Sequence, residues 1–262
     1  MVIIKEHSEK TFVIAGINGD IGLEFARRFQ DLGKIYGISR KNGKLDSVSY
    51  EHVCADLLNP DKVKTAFECM KLSEDVTYVH LPGKFRFQDE NHPITDVNND
   101  GIDDEIFATN VETFRNVRSY LIEHLMRNRN AKLKLIAIGS TSDLYDIPYW
   151  HSFTHAKNEL RKEFRSMYGN SETYGRVSSL FINVSTVDGR GLAGERPYIS
   201  KQFVLTPKDI LDESLPFVLD DNVNSLEVSI LKPNPAFQEN GFLSIGKIRE
   251  RWYGEMYGPG RN

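Results

Sequence analysis

One segment near the start of the chain limits its fold more than any other: Thr11-Phe-Val-Ile-Ala-Gly-Ile-Asn-Gly-Asp-Ile-Gly-Leu-Glu-Phe-Ala-Arg-Arg-Phe29. The apolar run Phe12 to Ala15 reads as a buried strand. It breaks at Gly16, Gly19 and Gly22, then resumes with helical spacing at Ile21, Phe25, Ala26 and Phe29. Glycines let a backbone turn sharply and approach a ligand. The free N–H groups of the following helical turn then face negative charge, as a dinucleotide's diphosphate requires. A glycine triplet alone is a weak signal; its place between a strand and a helix is what gives it weight.

The rest of the chain repeats the alternation. Strands are expected at Thr11–Ala15, Lys34–Ser39, His52–Ala55, Val76–Leu81, Leu133–Gly139, Val177–Val184 and Phe242–Ile245. Helices are expected at Asp20–Leu32, Pro60–Leu72, Ile102–Asn128, Ser152–Tyr168 and Thr206–Val218. Such alternation implies an α/β fold: a doubly wound, mainly parallel sheet with helices on both faces, of Rossmann type. No repeat, low-complexity tract or Pro/Ser-rich linker interrupts it, so residues 1–262 read as a single domain. Arg86–Asp100 and Asp188–Phe203 are long and irregular. Loops at the carboxyl ends of parallel strands carry the ligand site, so the regions near 84–105 and 186–205 are the candidate substrate loops.

Composition excludes several classes. A formal net charge of −4 argues against a general nucleic-acid binder, which would carry a basic stripe. No apolar segment approaches the ~20 residues that span a bilayer. The opening Met-Val-Ile-Ile-Lys-Glu-His has neither the apolar core nor the cleavage site of a signal peptide. Cys54 and Cys69 are isolated, without metal-type spacing, which suits a reducing compartment. A cytoplasmic protein is expected.

Together these features resemble the short-chain dehydrogenase/reductase superfamily over nearly the whole chain. Ala15-Gly-Ile-Asn-Gly-Asp-Ile-Gly22 is similar to the family's TGxxxGxG turn, with the middle glycine one place earlier. The GxxGxxG spacing that results is more typical of its extended and atypical branches. The resemblance implies that Gly16, Asn18, Gly19, Ile21 and Gly22 hold a cofactor diphosphate. The second strand ends in Ile38-Ser39-Arg40-Lys41 without the acidic residue that selects NAD(H) by binding the ribose 2′-hydroxyl. A guanidinium instead clamps a 2′-phosphate, so NADP(H) is expected over NAD(H), through Arg40 with Lys41 beside it. Asp56-Leu57 matches the family's pair beside the adenine. Gly83 stands where the family's Asn-Asn-Ala-Gly follows the fourth strand. Asn110, in Phe107-Ala-Thr-Asn-Val-Glu-Thr113, matches the helical Asn that holds a relay water.

In the catalytic segment the chain departs from the family. The family places a Ser after the fifth strand, then a Tyr, then a Lys at i+4 from the Tyr. That spacing puts the ammonium and the phenol on one helix face, where the charge favours phenolate. Ser140 and Lys157 match the Ser and the Lys. The Tyr position holds Phe153, which carries no proton. Three readings stand side by side. Another group has taken over proton transfer: Tyr149 first, by way of a kink in Tyr145–Ser152, with Tyr145, His151 and His155 nearby. Or substrate or cofactor supplies the acid/base function. Or the protein keeps the dinucleotide site without turnover, as a sensor, regulator or assembly partner. Substrate would be a small carbonyl or alcohol whose class the loops do not name.

Three further signals have plainer explanations beside them. Asp96-Val-Asn-Asn-Asp-Gly-Ile-Asp-Asp104 opens like a calcium loop, but Phe107 stands where the bidentate Glu is needed, so an acidic turn and helix cap is expected. His151 and His155 are i, i+4 without a third ligand, so no metal is expected. The aromatic tail, with Trp252, Tyr253 and Tyr257, either serves a subunit interface or packs back on its own domain. The resemblance implies a homodimer or homotetramer, and the charge and the short apolar runs lead to no nucleic-acid or membrane partner being expected.

Overall fold

β1 (Thr11–Ala15) is buried at every residue because it runs through the middle of the molecule. In the computed structural model, which describes residues 10–41, 48–88, 92–144, 148–168, 175–190, 192–232 and 234–258, six further strands join it. These are β2 (Lys34–Ser39), β3 (Glu51–Cys54), β4 (Asp75–His80), β5 (Lys132–Ser140), β6 (Val177–Val184) and β7 (Ser225–Ile230). All pair in parallel, in the order β3-β2-β1-β4-β5-β6-β7. The order reverses between β2-β1 and β4, which opens a crevice beyond the carboxyl ends of those strands.

Alternation along β1 divides the core. Val13 and Ala15 point into a cluster with Phe67 of α2 (Pro60–Cys69), Phe114 of α4 (Thr113–Arg127) and Phe164 of α5 (His151–Tyr168). Phe12 and Ile14 point the other way, to Phe25 and Phe29 of α1 (Asp20–Phe29) and Ile210 of α7 (Pro207–Leu219). The doubly wound parallel sheet expected from the sequence is therefore present. β1, β2 and β6 match their expected bounds, and β3, β4 and β5 shift by a single residue at one or both ends. α1 ends at Phe29 and α2 at Cys69, three residues short of the expected bounds.

Two expectations are corrected. Phe242–Ile245 is not a strand of the main sheet. Phe242–Leu243 (β9) pairs antiparallel with Gln238–Glu239 (β8), Phe242 is 78% exposed, and Ile245 already opens α8 (Ile245–Tyr257). The seventh strand is Ser225–Ile230 instead. Its Ser-Leu-Glu-Val-Ser-Ile alternation belongs to an edge strand covered on one face, and it lacks the continuous apolar run of the inner strands. The helix expected across Ile102–Asn128 is also interrupted. It consists of α3 (Asp104–Phe107), a π-helical turn (Ala108–Glu112) and α4.

α8 was missed, although Ile248, Trp252 and Met256 have helical spacing and are all buried. It folds back on the same chain. Trp252 packs on Trp150 with ring centroids 4.1 Å apart, and Tyr253 lies 5.9 Å from Tyr149. The loops after β4 and β6 are largely irregular, as expected; that after β6 carries the short α6 (Leu192–Glu195) and a 3-10 turn at Lys201–Phe203. No helix among the described residues is long and apolar enough to cross a membrane.

Packing of the β1–α1 turn leaves no room at Gly22, where a Cβ would lie 2.6 Å from the Gly16 carbonyl oxygen and 2.9 Å from Ile17 Cα. Gly22→Ala is expected to destabilise the fold by about 1–3 kcal/mol through overpacking. Each kcal/mol lowers the melting temperature of a domain near this size by roughly 2–4 °C. An unchanged thermal unfolding curve would show that the turn relaxes freely.

Candidate functional site

The chain leaves β1 through Gly16, whose φ of +83° is a conformation that side chains rarely adopt. Gly16 N donates to Ile38 O at 2.9 Å and Gly19 N to Gly16 O at 3.0 Å, so the turn closes on its own backbone. Gly19 is the N-cap residue of α1 and supplies no side-chain cap. The N–H groups at the start of α1 therefore remain for a ligand. Ile21 packs on the apolar core beneath. Asn18 Nδ2 donates to Ser39 Oγ at 2.9 Å, while its Oδ1 is buried without a partner.

At the carboxyl end of β2, Ser39 Oγ also lies 2.8 Å from His52 Nε2. Arg40 and Lys41 follow, both exposed. Asp56 Oδ1 accepts from Leu58 N at 3.1 Å, and the buried Leu57 presents its carbonyl to Asn116. Both residues lie just beyond the end of β3, beside the crevice.

The second centre gathers around Gly83, beyond β4. A Cβ there would lie 3.2 Å from Asn110 Oδ1 and 3.6 Å from Lys157 Nζ. Asn110 is 0% exposed and stands in the π-helical turn. Its Nδ2 donates to Ile106 O at 2.8 Å and Lys84 O at 2.9 Å, leaving Oδ1 buried and unpartnered. A π turn frees a backbone carbonyl from the helical ladder, and here the Asn side chain takes it up. Lys157 donates to Ile138 O at 3.1 Å, two residues before Ser140, the last residue of β5. Ser140 Oγ accepts from Ser142 N at 3.1 Å and remains half-exposed, with its proton free to donate.

Lys157 is 7% exposed, and burial pulls its pKa from 10.5 down to about 8. That drop corresponds to roughly 3 kcal/mol by which the fold disfavours the ammonium. The face of the Phe153 ring lies 5.5 Å from Nζ and offsets part of the cost as a cation–π contact. Beneath them His80 is buried; desolvation, then the Lys157 charge, push its pKa down to about 3. The imidazole is therefore neutral, with Nδ1 3.0 Å from the Tyr78 hydroxyl.

Tyr149 does not join this group. It sits in a 3-10 turn, its ring against Phe87 (6.1 Å) and Tyr253 (5.9 Å), and its hydroxyl makes no hydrogen bond with a described residue. Tyr145 lies outside the described residues. The His151 and His155 rings are 6.5 Å apart, and no group of three candidate ligands stands together among the described residues. The Asp96–Asp104 carboxylates are engaged by backbone N–H groups: Asp96 by Asp100 and Gly101, Asp103 by Glu105 and Ile106.

Sequence reasoning missed three neighbours of the site. His80 and the Ser39–His52 contact lie at strand ends that it did identify. Arg190, far away in sequence, donates from its backbone N and Nε to Asp20 at 3.1 Å each, and from its guanidinium to Asn18 O. Nothing in a linear reading joins Arg190 to the glycine turn.

No family model matches the chain, and no curated protein sequence matches it. Solved structures do match. A short-chain dehydrogenase from Burkholderia cenocepacia in complex with NADP superposes at a TM-score of 0.66, with 15% identity over 84% of this chain and 88% of that one. The 3-ketoacyl-(acyl-carrier-protein) reductase of Brucella melitensis, complexed with NADH, gives 0.68, with 17% identity over 85% and 97%. A short-chain dehydrogenase from Leptospira borgpetersenii with bound NAD+ gives 0.66, with 14% identity over 86% and 92%. The fold is that of the short-chain dehydrogenases and reductases.

Because the fold disfavours the Lys157 ammonium, its destabilising contribution is full below pH 8. It fades as the pH rises from about 8 to 10.5, where the unfolded lysine loses its proton as well. Lys157→Met is expected to be at least as stable as wild type at pH 7, with the gap narrowing towards pH 10.5. Melting temperature against pH measures this; a variant less stable throughout would show that the Ile138 and Phe153 contacts outweigh desolvation.

Proposed function

We propose that this chain is an NADP(H)-dependent oxidoreductase of the short-chain dehydrogenase/reductase type, acting on a carbonyl or alcohol of a small molecule. The observation that carries this reading is the pairing of two centres along one sheet edge. One is a glycine turn with an uncapped helix start. The other is a buried lysine facing an orphaned asparagine oxygen across Gly83. Both fit a dinucleotide: the first its diphosphate, the second its nicotinamide ribose.

Gly16, Asn18, Gly19, Ile21 and Gly22 would hold the diphosphate, Arg40 the 2′-phosphate, and Asp56 with Leu57 the adenine. Gly83 gives the nicotinamide half close access, and Lys157 binds its ribose. The bound nicotinamide would supply or accept hydride. Ser140 donates a hydrogen bond to the substrate oxygen. Asn110 Oδ1 accepts from a water that the Lys157 amine also contacts. A pKa near 8 lets that amine exchange a proton close to neutrality. Phe153 carries none, and Tyr149 is the nearest phenol along the chain.

A second reading has its own observation. Phe153 is packed edge-on to Phe85 at 5.2 Å and covered by Lys157, a finished apolar contact where a proton donor is needed. This favours a dinucleotide-binding protein without turnover, serving as sensor or assembly partner. Two substitutions separate the readings. Phe153→Tyr is expected to confer NADPH-dependent reduction of simple ketones if the remaining site is competent. Tyr149→Phe is expected to cut turnover by at least ~100-fold if that phenol is the acid. Unchanged turnover removes Tyr149 from the mechanism.

The direct test is titration of the purified protein with NADPH and with NADH, followed by nicotinamide fluorescence or heat. Tighter binding of NADPH is expected, with Arg40→Ala losing about tenfold for NADPH and nothing for NADH, the cost of one charge-assisted phosphate contact. Binding of neither dinucleotide would overturn the reading.

A further inference from the structure

Arg190 reaches across from the loop after β6 to the start of α1 and makes three contacts there. Its backbone N and Nε bind the two oxygens of Asp20, and its terminal nitrogen donates to Asn18 O, within the glycine turn. The loop that carries it is anchored. Asp188 N donates to Leu205 O at 2.7 Å at its base, and farther on the buried Arg196 pairs with Glu255 of α8 at 3.4 Å. The neighbouring Gly189 also lies against Asp20, whose Oδ2 would be 3.4 Å from a Cβ at that position.

The charges at this point conflict with a phosphate ligand unless something moves. Asp20 is the first residue of α1, where a carboxylate satisfies the positive end of the helix. A diphosphate bound to the same N–H groups brings like charge against Asp20. Among the described residues, Arg190 is the cation in contact with both Asp20 and the turn. Its side chain is 68% exposed and that of Asp20 35%, so their ion pair is weak and readily exchanged. A guanidinium meeting a phosphate gains a planar, two-pronged match.

We propose that Arg190 is a diphosphate-binding residue of the dinucleotide site: its guanidinium exchanges Asp20 and the Asn18 carbonyl for the cofactor's diphosphate. This rests on the dinucleotide-binding reading above and adds a binding residue to it. Asp20 is then a competitor for Arg190 as well as a helix-start residue.

The sign of two substitutions distinguishes this role from a tether. If Arg190 merely fastens the loop, Arg190→Gln and Asp20→Asn break the same contact and weaken binding alike. If Arg190 binds diphosphate, the two act in opposite directions. Dissociation constants for NADPH and NADH are measured by fluorescence for wild type and both variants, with thermal unfolding to confirm that each is folded. Arg190→Gln is expected to weaken both dinucleotides about tenfold, since both carry the diphosphate, whereas Arg40→Ala affects only NADPH. Asp20→Asn is expected to bind both as tightly as wild type or tighter. Weakening by Asp20→Asn comparable to that of Arg190→Gln, or no change with Arg190→Gln, overturns the proposal while leaving the dinucleotide site intact. Wild-type protein that binds neither dinucleotide overturns both.

Discussion

Close approach of backbone to backbone at the β1–α1 turn governs much of the molecule. Gly16 turns with φ of +83°, and Gly22 passes so near the Gly16 carbonyl that a single methyl would collide with it. This contact sets the direction in which α1 leaves the sheet. That direction decides whether Phe25 and Phe29 reach Phe12 and the lower core. The same geometry leaves the first N–H groups of the helix without side-chain caps. The packing of α1 on the sheet and the open first turn of that helix thus depend on one local constraint.

A second constraint works by desolvation. Lys157 lies in a place that favours the neutral amine, opposite an asparagine oxygen that has no partner. Polar groups in this state are costly unless a ligand or water completes them. The π-helical turn that positions Asn110 departs from regular helix at the same place. A π-helical turn, an orphaned polar atom and a shifted pKa coincide around Gly83, a coincidence typical of sites that bind or react. Phe153 answers the Lys157 charge with an aromatic face and supplies no proton.

The aromatic layer formed by Phe85, Phe87, Trp150 and Trp252 closes the far side. It joins the loop after β4, the segment before α5 and α8, which are distant in sequence. The buried Arg196–Glu255 pair ties α8 to the loop after β6 in the same way. Segments of both candidate substrate loops are therefore held against α8.

Much of this was legible in the residues themselves. Apolar runs located six of the seven sheet strands and glycine spacing located the turn, because those signals are local; Ser140, Asn110 and Lys157 were singled out by their resemblance to short-chain dehydrogenase/reductase motifs. β7 escaped because an edge strand alternates like a solvated surface segment, and α8 because its basic, glycine-bearing sequence masks the spacing of Ile248, Trp252 and Met256. Tertiary structure alone decided the remainder. It buried Lys157 and so lowered its pKa, packed Tyr149 among aromatic rings, and brought Arg190 to Asp20 across most of the chain. Desolvation and charge pairing are properties of neighbours in space. Local residue patterns specified the glycine turn and six strands of the sheet, whereas which charges meet at the turn followed from the folded chain.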